Sequence, residues 1–213
     1  MRLTLSLLLV LCSFAILRAE DKDEGFTPIF NGKNLDGWQG ATDGYVVDDG
    51  AIKCLKEKGG FLYTKNEYGD FDLKFQFKLT KGANNGVGIR APMGGDPAYV
   101  GMEIQVLDDG ADQYKGLKEY QYHGSIYGVV PAKRGHQKPV GEWNTEEIIA
   151  KGNQIKVILN GETIVDADIA KASDPKTLDG QNHPGLKREK GYIVFCGHGH
   201  DVWFKDLKIK ELK

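Results

Sequence analysis

The sequence predicts an all-β chain folded as a two-sheet antiparallel sandwich of the jelly-roll kind. Short apolar/polar alternations recur between glycine-rich turns, no segment beyond the N-terminal apolar run sustains a helical period, and Asn160-Gly161 separates two strand-like stretches. Taken in order, Arg2 precedes an apolar run from Leu7 to Leu11, extended by Phe14 to Leu17, and Ala19 offers a small residue for cleavage. Residues 1–19 therefore read as a secretory signal peptide, and export is the expectation. The charged stretch 20–25 reads as a flexible leader, and 26–213 as a single domain without an internal repeat.

Expected strands are Tyr45–Cys54, Gly60–Thr64, Phe71–Leu79, Gly86–Ala91, Gly101–Leu107, Gly124–Tyr127, Gly191–Cys196 and Val202–Ile209. Phe71, Leu73, Phe75, Phe77 and Leu79 alternate with Asp72, Lys74, Gln76 and Lys78, so one face is core and the other wet. From Gln154 to Asp166, Asn160-Gly161 supplies the two positive-φ positions of a type I′ hairpin. Residues 144–152 fit either one helical turn or a strand carrying Ile148 and Ala150. Two stretches exceed simple turns, Asp108 to Asn144 and Ala170 to Lys190, and the tyrosine-rich first one reads as a binding loop.

Composition excludes several roles. The chain has 28 Lys+Arg against 30 Asp+Glu, a formal charge of −2, and loss of Arg2 and Arg18 with the signal would take it to −4. Nucleic acid is then a poor partner, and no basic patch stands out. No apolar stretch reaches the ~20 residues of a membrane span. The glycines of 84–90 (NNGVGIR) precede no amphipathic helix, so no nucleotide cofactor is expected. Cys54 and Cys196 could pair in an oxidising compartment or remain as buried small side chains. Oligomeric state is not legible.

Strand parity points to a polar groove. Val87 and Ile89 face one way and Gly86, Gly88 and Arg90 the other; Met102, Ile104 and Val106 oppose Glu103, Gln105 and Leu107. Arg90, Glu103 and Gln105 should share an outer face, with glycines leaving room for a ligand. A solvated Arg90–Glu103 ion pair is the plainer alternative. Asn85, Asp108, His123 and Tyr127 cluster nearby in sequence, and Trp143 offers a flat ring for a sugar face or for packing its own loop. A glycosidase needs two carboxyl groups flanking the bond, yet the same-face neighbour of Glu103 is the amide Gln105. His198 and His200 would share a face if extended, and with Glu103, Asp108 or His123 they are candidates for a divalent metal; two exposed imidazoles on a glycine turn are the alternative. His136 and His183 read as solvent-facing.

The segments FTPIFNGKNLDGWQG, NNGVGIR, GMEIQVLDD, HGSIYGVVPAKRGHQKPVGEWN, LNGETIVD and GYIVFCGHGHDVWFKDLKIKEL, in that order from Phe26 to Lys213, resemble the 3-keto-disaccharide hydrolase family. The resemblance implies a concanavalin A-like sandwich in an exported bacterial protein acting on glycosides already oxidised at C3. It implies loss of the C2 proton, made acidic by the neighbouring carbonyl, followed by elimination at C1. His198 or Glu103 would be the base, Arg90 or a metal the electrophile, and Gln105, Asp108 and Tyr127 would orient the sugar. Where relatives read LQDHG this chain has FCGHG, so Cys196 and Gly197 replace Gln-Asp while His198 is kept. A non-catalytic carbohydrate-binding module and an ordinary glucanase are the rival readings.

Overall fold

The computed structural model describes residues 24–213; the expected signal peptide lies outside the described residues. The described residues form thirteen strands: β1 Thr27–Pro28, β2 Trp38–Gly40, β3 Tyr45–Asp48, β4 Ala51–Cys54, β5 Gly60–Tyr68, β6 Phe71–Leu79, β7 Asn84–Ala91, β8 Met102–Leu107, β9 Trp143–Lys151, β10 Gln154–Leu159, β11 Glu162–Asp168, β12 Gly191–Gly197 and β13 Val202–Glu211. They form two antiparallel sheets packed face to face. The larger runs β11-β10-β9-β6-β13-β4-β3, with β1 also on β13; the smaller runs β2-β5-β12-β7-β8.

The alternations dictate which side chains meet between the sheets. From β6, Phe71, Leu73, Phe75, Phe77 and Leu79 are buried, and β7 and β8 answer with Val87, Ile89, Met102, Ile104 and Val106. Three rings tie the sheets together: Phe195 of β12 stacks on Trp38 at 5.1 Å and on Phe204 of β13 at 3.9 Å, each pair inclined by 12°. The Trp38 indole donates to the Ile29 carbonyl at 3.1 Å, so the stack also fixes the N-terminal segment.

Several expectations need refinement. Tyr45–Cys54 is a hairpin, because Asp49 and Gly50 take φ of 47° and 72° and turn the chain between β3 and β4. The 144–152 stretch is strand, not helix, paired to β6 and β10. The β10–β11 turn is as expected, with Asn160 and Gly161 at φ 52° and 90°. Gly124–Tyr127 is not a regular strand: its backbone bonds to the outer edge of β8, with Ile126 bridging Ile104 and the Tyr127 N–H donating to the Glu103 carbonyl at 2.9 Å. Strands β1 and β2 are too short to show alternation. Both cysteines are free and buried, Cys54 in the main core and Cys196 in a small cluster on the far side of the small sheet.

Truncating the central ring tests the stack. Phe195→Ala should cost about 3–5 kcal/mol, as expected for a fully buried phenylalanine; urea unfolding measures it, and a loss under about 1 kcal/mol would show that the stack is not what joins the sheets.

Candidate functional site

Because Phe195 points inward, its neighbours Val194 and Cys196 point outward, and a second surface forms on the outer face of the small sheet. Tyr63 of β5, Ala91 of β7, and Val194 and Cys196 of β12 are buried there, with Phe61 and Tyr192 packed against them. Gly86 and Gly88 lie alongside. A Cβ on Gly86 would collide with the Glu103 carboxyl, and one on Gly88 would come within 3.0 Å of Pro97 and 3.2 Å of Val194. The glycines therefore hold open the space into which Glu103 leans.

The roof comes from 92–101, a segment without readable periodicity. Asp96 caps the short helix α1 (Pro97–Val100), its Oδ1 accepting from the Ala98 N–H at 3.1 Å, and Pro97 at the first position favours that start. A second loop buttresses α1: His183 places Nδ1 3.1 Å from the Ala98 carbonyl and Nε2 2.9 Å from Asp179, while its ring lies 4.9 Å from Tyr99. His183 is thus buried rather than solvent-facing. Burial alone would raise the Asp179 pKa, but bonds from the Gln181 amide, His183 and Thr177 outweigh it and hold the carboxyl below its usual range.

Glu103 is the chemically conspicuous residue. Its side chain is buried and Oε1 has no hydrogen-bond partner among the described residues. Burial, assisted by the nearby negative charge of Asp96, pushes its pKa to about 8. His198, just past β12, is shifted the other way: partial desolvation lowers its pKa, Asp96 partly offsets this, and His200 adds to the lowering. Asp96 is thus within electrostatic reach of both groups. Burial first, then the Glu103 charge, raises the Cys196 thiol, so Cys196 is an inert thiol near Glu103. Tyr99 feels Tyr127, Asp179, Asp96 and Glu103 after desolvation, which puts it in the same neighbourhood.

Of the residues singled out by sequence, Glu103, Gln105, Tyr127 and His198 lie on this side of the molecule. Gln105 donates to Asn84 at 3.2 Å, and the Tyr127 hydroxyl accepts from Gln121 at 3.0 Å. The others are elsewhere. Arg90 sits at a β-bulge with φ 49°, where three steps along β7 oppose two along β12, so parity fails at that residue. Its guanidinium is bound to Asp70 at 2.9 Å and to the carbonyls of Gly69 and Gly152, tying loops together away from Glu103. Asn85 faces inward beside Cys54 and caps the Gly86 N–H. Asp108 is consumed by the Gly82 and Gly110 amides at 2.8 and 3.1 Å.

His123 is a core residue: Nδ1 accepts from the Leu107 N–H at 3.3 Å, Nε2 lies 3.3 Å from Glu146 without hydrogen-bond alignment, and the ring rests on Phe77. Trp143 is on the outer face of the large sheet under Lys78 and Lys205. His198 and His200 flank Gly199 at φ 74°, a turn rather than a shared strand face. Among the described residues no group of three His, Cys, Asp or Glu side chains is gathered to hold a metal ion. Of the candidate donors Glu103, Asp108, His198 and His200, Asp108 is engaged by the Gly82 and Gly110 amides. Sequence reasoning missed Asp96 and Tyr99; the Asp-Pro pair was the available signal, as a helix start.

The comparisons bear on this arrangement. A family model described as a 3-keto-alpha-glucoside-1,2-lyase-like domain matches residues 25–210. The chain belongs to that family. A Bacteroides thetaiotaomicron protein named 3-keto-disaccharide hydrolase is 28% identical over 229 residues, covering 89% of this chain and 79% of its own length. Two crystal structures of candidate glycosyl hydrolases from Parabacteroides distasonis are 32% and 28% identical, with TM-scores of 0.75 and 0.77, over 88% and 93% of this chain and 99% of each relative. The carbohydrate-binding module CBM66 from Bacillus subtilis, at 11% identity and TM-score 0.55 over 84% of this chain and 98% of its own, shares the fold alone.

The buried carboxyl has a thermodynamic signature. A folded-state pKa raised to about 8 means that Glu103 stabilises the fold fully below its unfolded value near 4.5, and that this contribution is lost as pH rises through 8. Glu103→Gln should remove that loss, so the variant gains on the order of a few kcal/mol relative to the parent between pH 5 and 9 in paired urea titrations. A constant difference between the two proteins across that range would mean that the carboxyl is not desolvated.

Proposed function

We propose that the chain cleaves 3-keto-glycosides, including 3-keto-disaccharides, by removing the C2 proton and eliminating the C1 substituent, on the outer face of the small sheet where Glu103 and His198 lie. The observation that carries this reading is the buried, unpartnered Glu103 carboxyl on the same face as His198, both near Asp96, where burial raises the pKa of the first and lowers that of the second. Near neutral pH Glu103 retains its proton and His198 lacks one. Groups whose environments push their pKa values apart divide into acid and base.

His198 is then the base. It takes the C2 proton, the C2–H electron pair forms the enolate with C3, and protonated Glu103 donates a hydrogen bond to the C3 oxygen as charge develops there. The enolate returns its pair to form C1=C2 and expels the C1 oxygen, which recovers the proton from His198. Water adding to C1 restores the saturated ring, so that elimination followed by hydration amounts to hydrolysis. No oxocarbenium ion is required, which suits a site whose strand neighbour to Glu103 is Gln105 rather than a second carboxylate. Arg90, fixed by Asp70 and two carbonyls, has no part in this scheme. The roof contributes by excluding water around Glu103, and Tyr99 and Tyr127 supply hydroxyls at its rim. Export of the protein is supported by the apolar leader of residues 1–19.

Incubation of purified protein with a 3-keto-α-glucoside carrying deuterium at C2 tests the reading. The expected result is release of the C1 alcohol, a primary isotope effect, and a kcat/KM profile with an acid limb below the ordinary histidine value and a falling limb near pH 8. Glu103→Gln should erase the alkaline limb, and His198→Ala should lower kcat by 10²–10⁴. A rate that climbs through pH 8 would instead make Glu103 the base. Tight binding without turnover would make the protein a binding module, and cleavage of unoxidised glycosides would make it a glucanase.

A further inference from the structure

The outer face of the large sheet, on the opposite side of the sandwich from Glu103, carries a row that the proposed chemistry does not use. Register places Lys53 of β4 opposite Trp203 of β13, Trp203 opposite Lys78 of β6, and Lys78 opposite Trp143 of β9, so cation and indole alternate across four adjacent strands. Each ring lies against two ammonium groups: Trp203 has Lys78 at 4.5 Å and Lys53 at 4.8 Å, and Trp143 has Lys205 at 4.2 Å and Lys78 at 4.9 Å. Only Lys53 has a carboxylate within reach, Asp201 at 3.4 Å; Lys78 and Lys205 have none among the described residues. Asp48 is engaged by the Trp203 indole N–H at 2.8 Å.

Such a concentration of unneutralised cations is notable in a chain of net negative charge, because like charges on neighbouring strands oppose each other. Beside the row opens a shallow cleft of about 360 Å³ between Trp203 and Val140, with Lys78 and Lys81 as its cations; Val140 is 44% exposed. Lys81 likewise lacks a carboxylate partner among the described residues.

We propose that this row and its cleft bind an anionic glycan, carboxylated or sulfated, independently of the Glu103 face. The exposed Val140 side chain offers a pyranose ring an apolar contact, and the ammonium groups fit acid substituents spaced along a chain. The indole faces are already covered by lysine, which leaves no open ring on which a nucleobase could stack. Neutral glycans lack the groups that the lysines would engage.

Affinity electrophoresis and titration calorimetry at low and high salt test this with polygalacturonate, heparin, dextran and polyglutamate. The expected result is binding to polygalacturonate, heparin or both, weakened by salt, at least tenfold tighter than to dextran or polyglutamate, and weakened at least tenfold in a Lys78→Gln/Lys205→Gln variant of unchanged melting temperature. The two anionic arms identify the acid group. If the Gln pair melts lower, the Lys78→Arg/Lys205→Arg pair must bind like the parent. No binding to either anionic glycan, equal binding of polyglutamate, undiminished binding by a well-folded Gln pair, or failure of the Arg pair would each overturn the proposal. The readout is independent of turnover, so failure of the elimination chemistry would leave it standing.

Discussion

The Trp38–Phe195–Phe204 stack is the constraint from which the rest of the molecule follows. Once Phe195 is committed to the space between the sheets, the pleat sends Val194 and Cys196 outward, and the antiparallel register with β7 sets Gly88 beside Val194. Gly88 in turn lies opposite Glu103 on β8. The place of Glu103 on the outer face is thus a consequence of core packing. The rings beneath it cannot shift without opening a void, and a void of a phenylalanine's size costs several kcal/mol.

Much of this was legible in the sequence wherever periodicity alone decides. The buried stripe of β6, the Asn160-Gly161 hairpin, and the outward placement of Glu103 and Gln105 all follow from side chains alternating along an unbroken strand. Arg90 escaped the same logic because one inserted residue at a bulge reverses parity, and its positive φ leaves no mark in an arginine codon. His123 escaped because a histidine whose ring accepts from a core amide looks, in sequence, like any loop histidine. Asp96 and Tyr99 were hidden for another reason: the roof follows no repeat, and its position depends on the distant Asp179–His183 pair, which only folding brings near.

The FCGHG segment, where the resemblance leads one to expect LQDHG, has a physical context in this fold. Cys196 is buried in the small apolar cluster with Tyr63, Ala91 and Val194, where its raised pKa keeps it neutral. Gly197 is hemmed in: a Cβ there would stand 2.6 Å from the Tyr45 hydroxyl, 2.7 Å from the Cys54 sulfur and 2.9 Å from Gly59. An aspartate at that place is incompatible with Tyr45 and Cys54 as they stand. The replacement is therefore coupled to its neighbours, and a single reversion at 197 would be a packing error before it could become a chemical change.

The segment from Gly124 to Tyr127 donates and accepts along the outer rim of β8, so the strand that bears Glu103 presents no vacant ladder. Unsatisfied rims of this kind are where sheets recruit foreign strands and grow into fibres. In this fold the tyrosine-rich loop also acts as a selvedge, a finished border that keeps the small sheet from fraying into neighbouring molecules at high protein concentration.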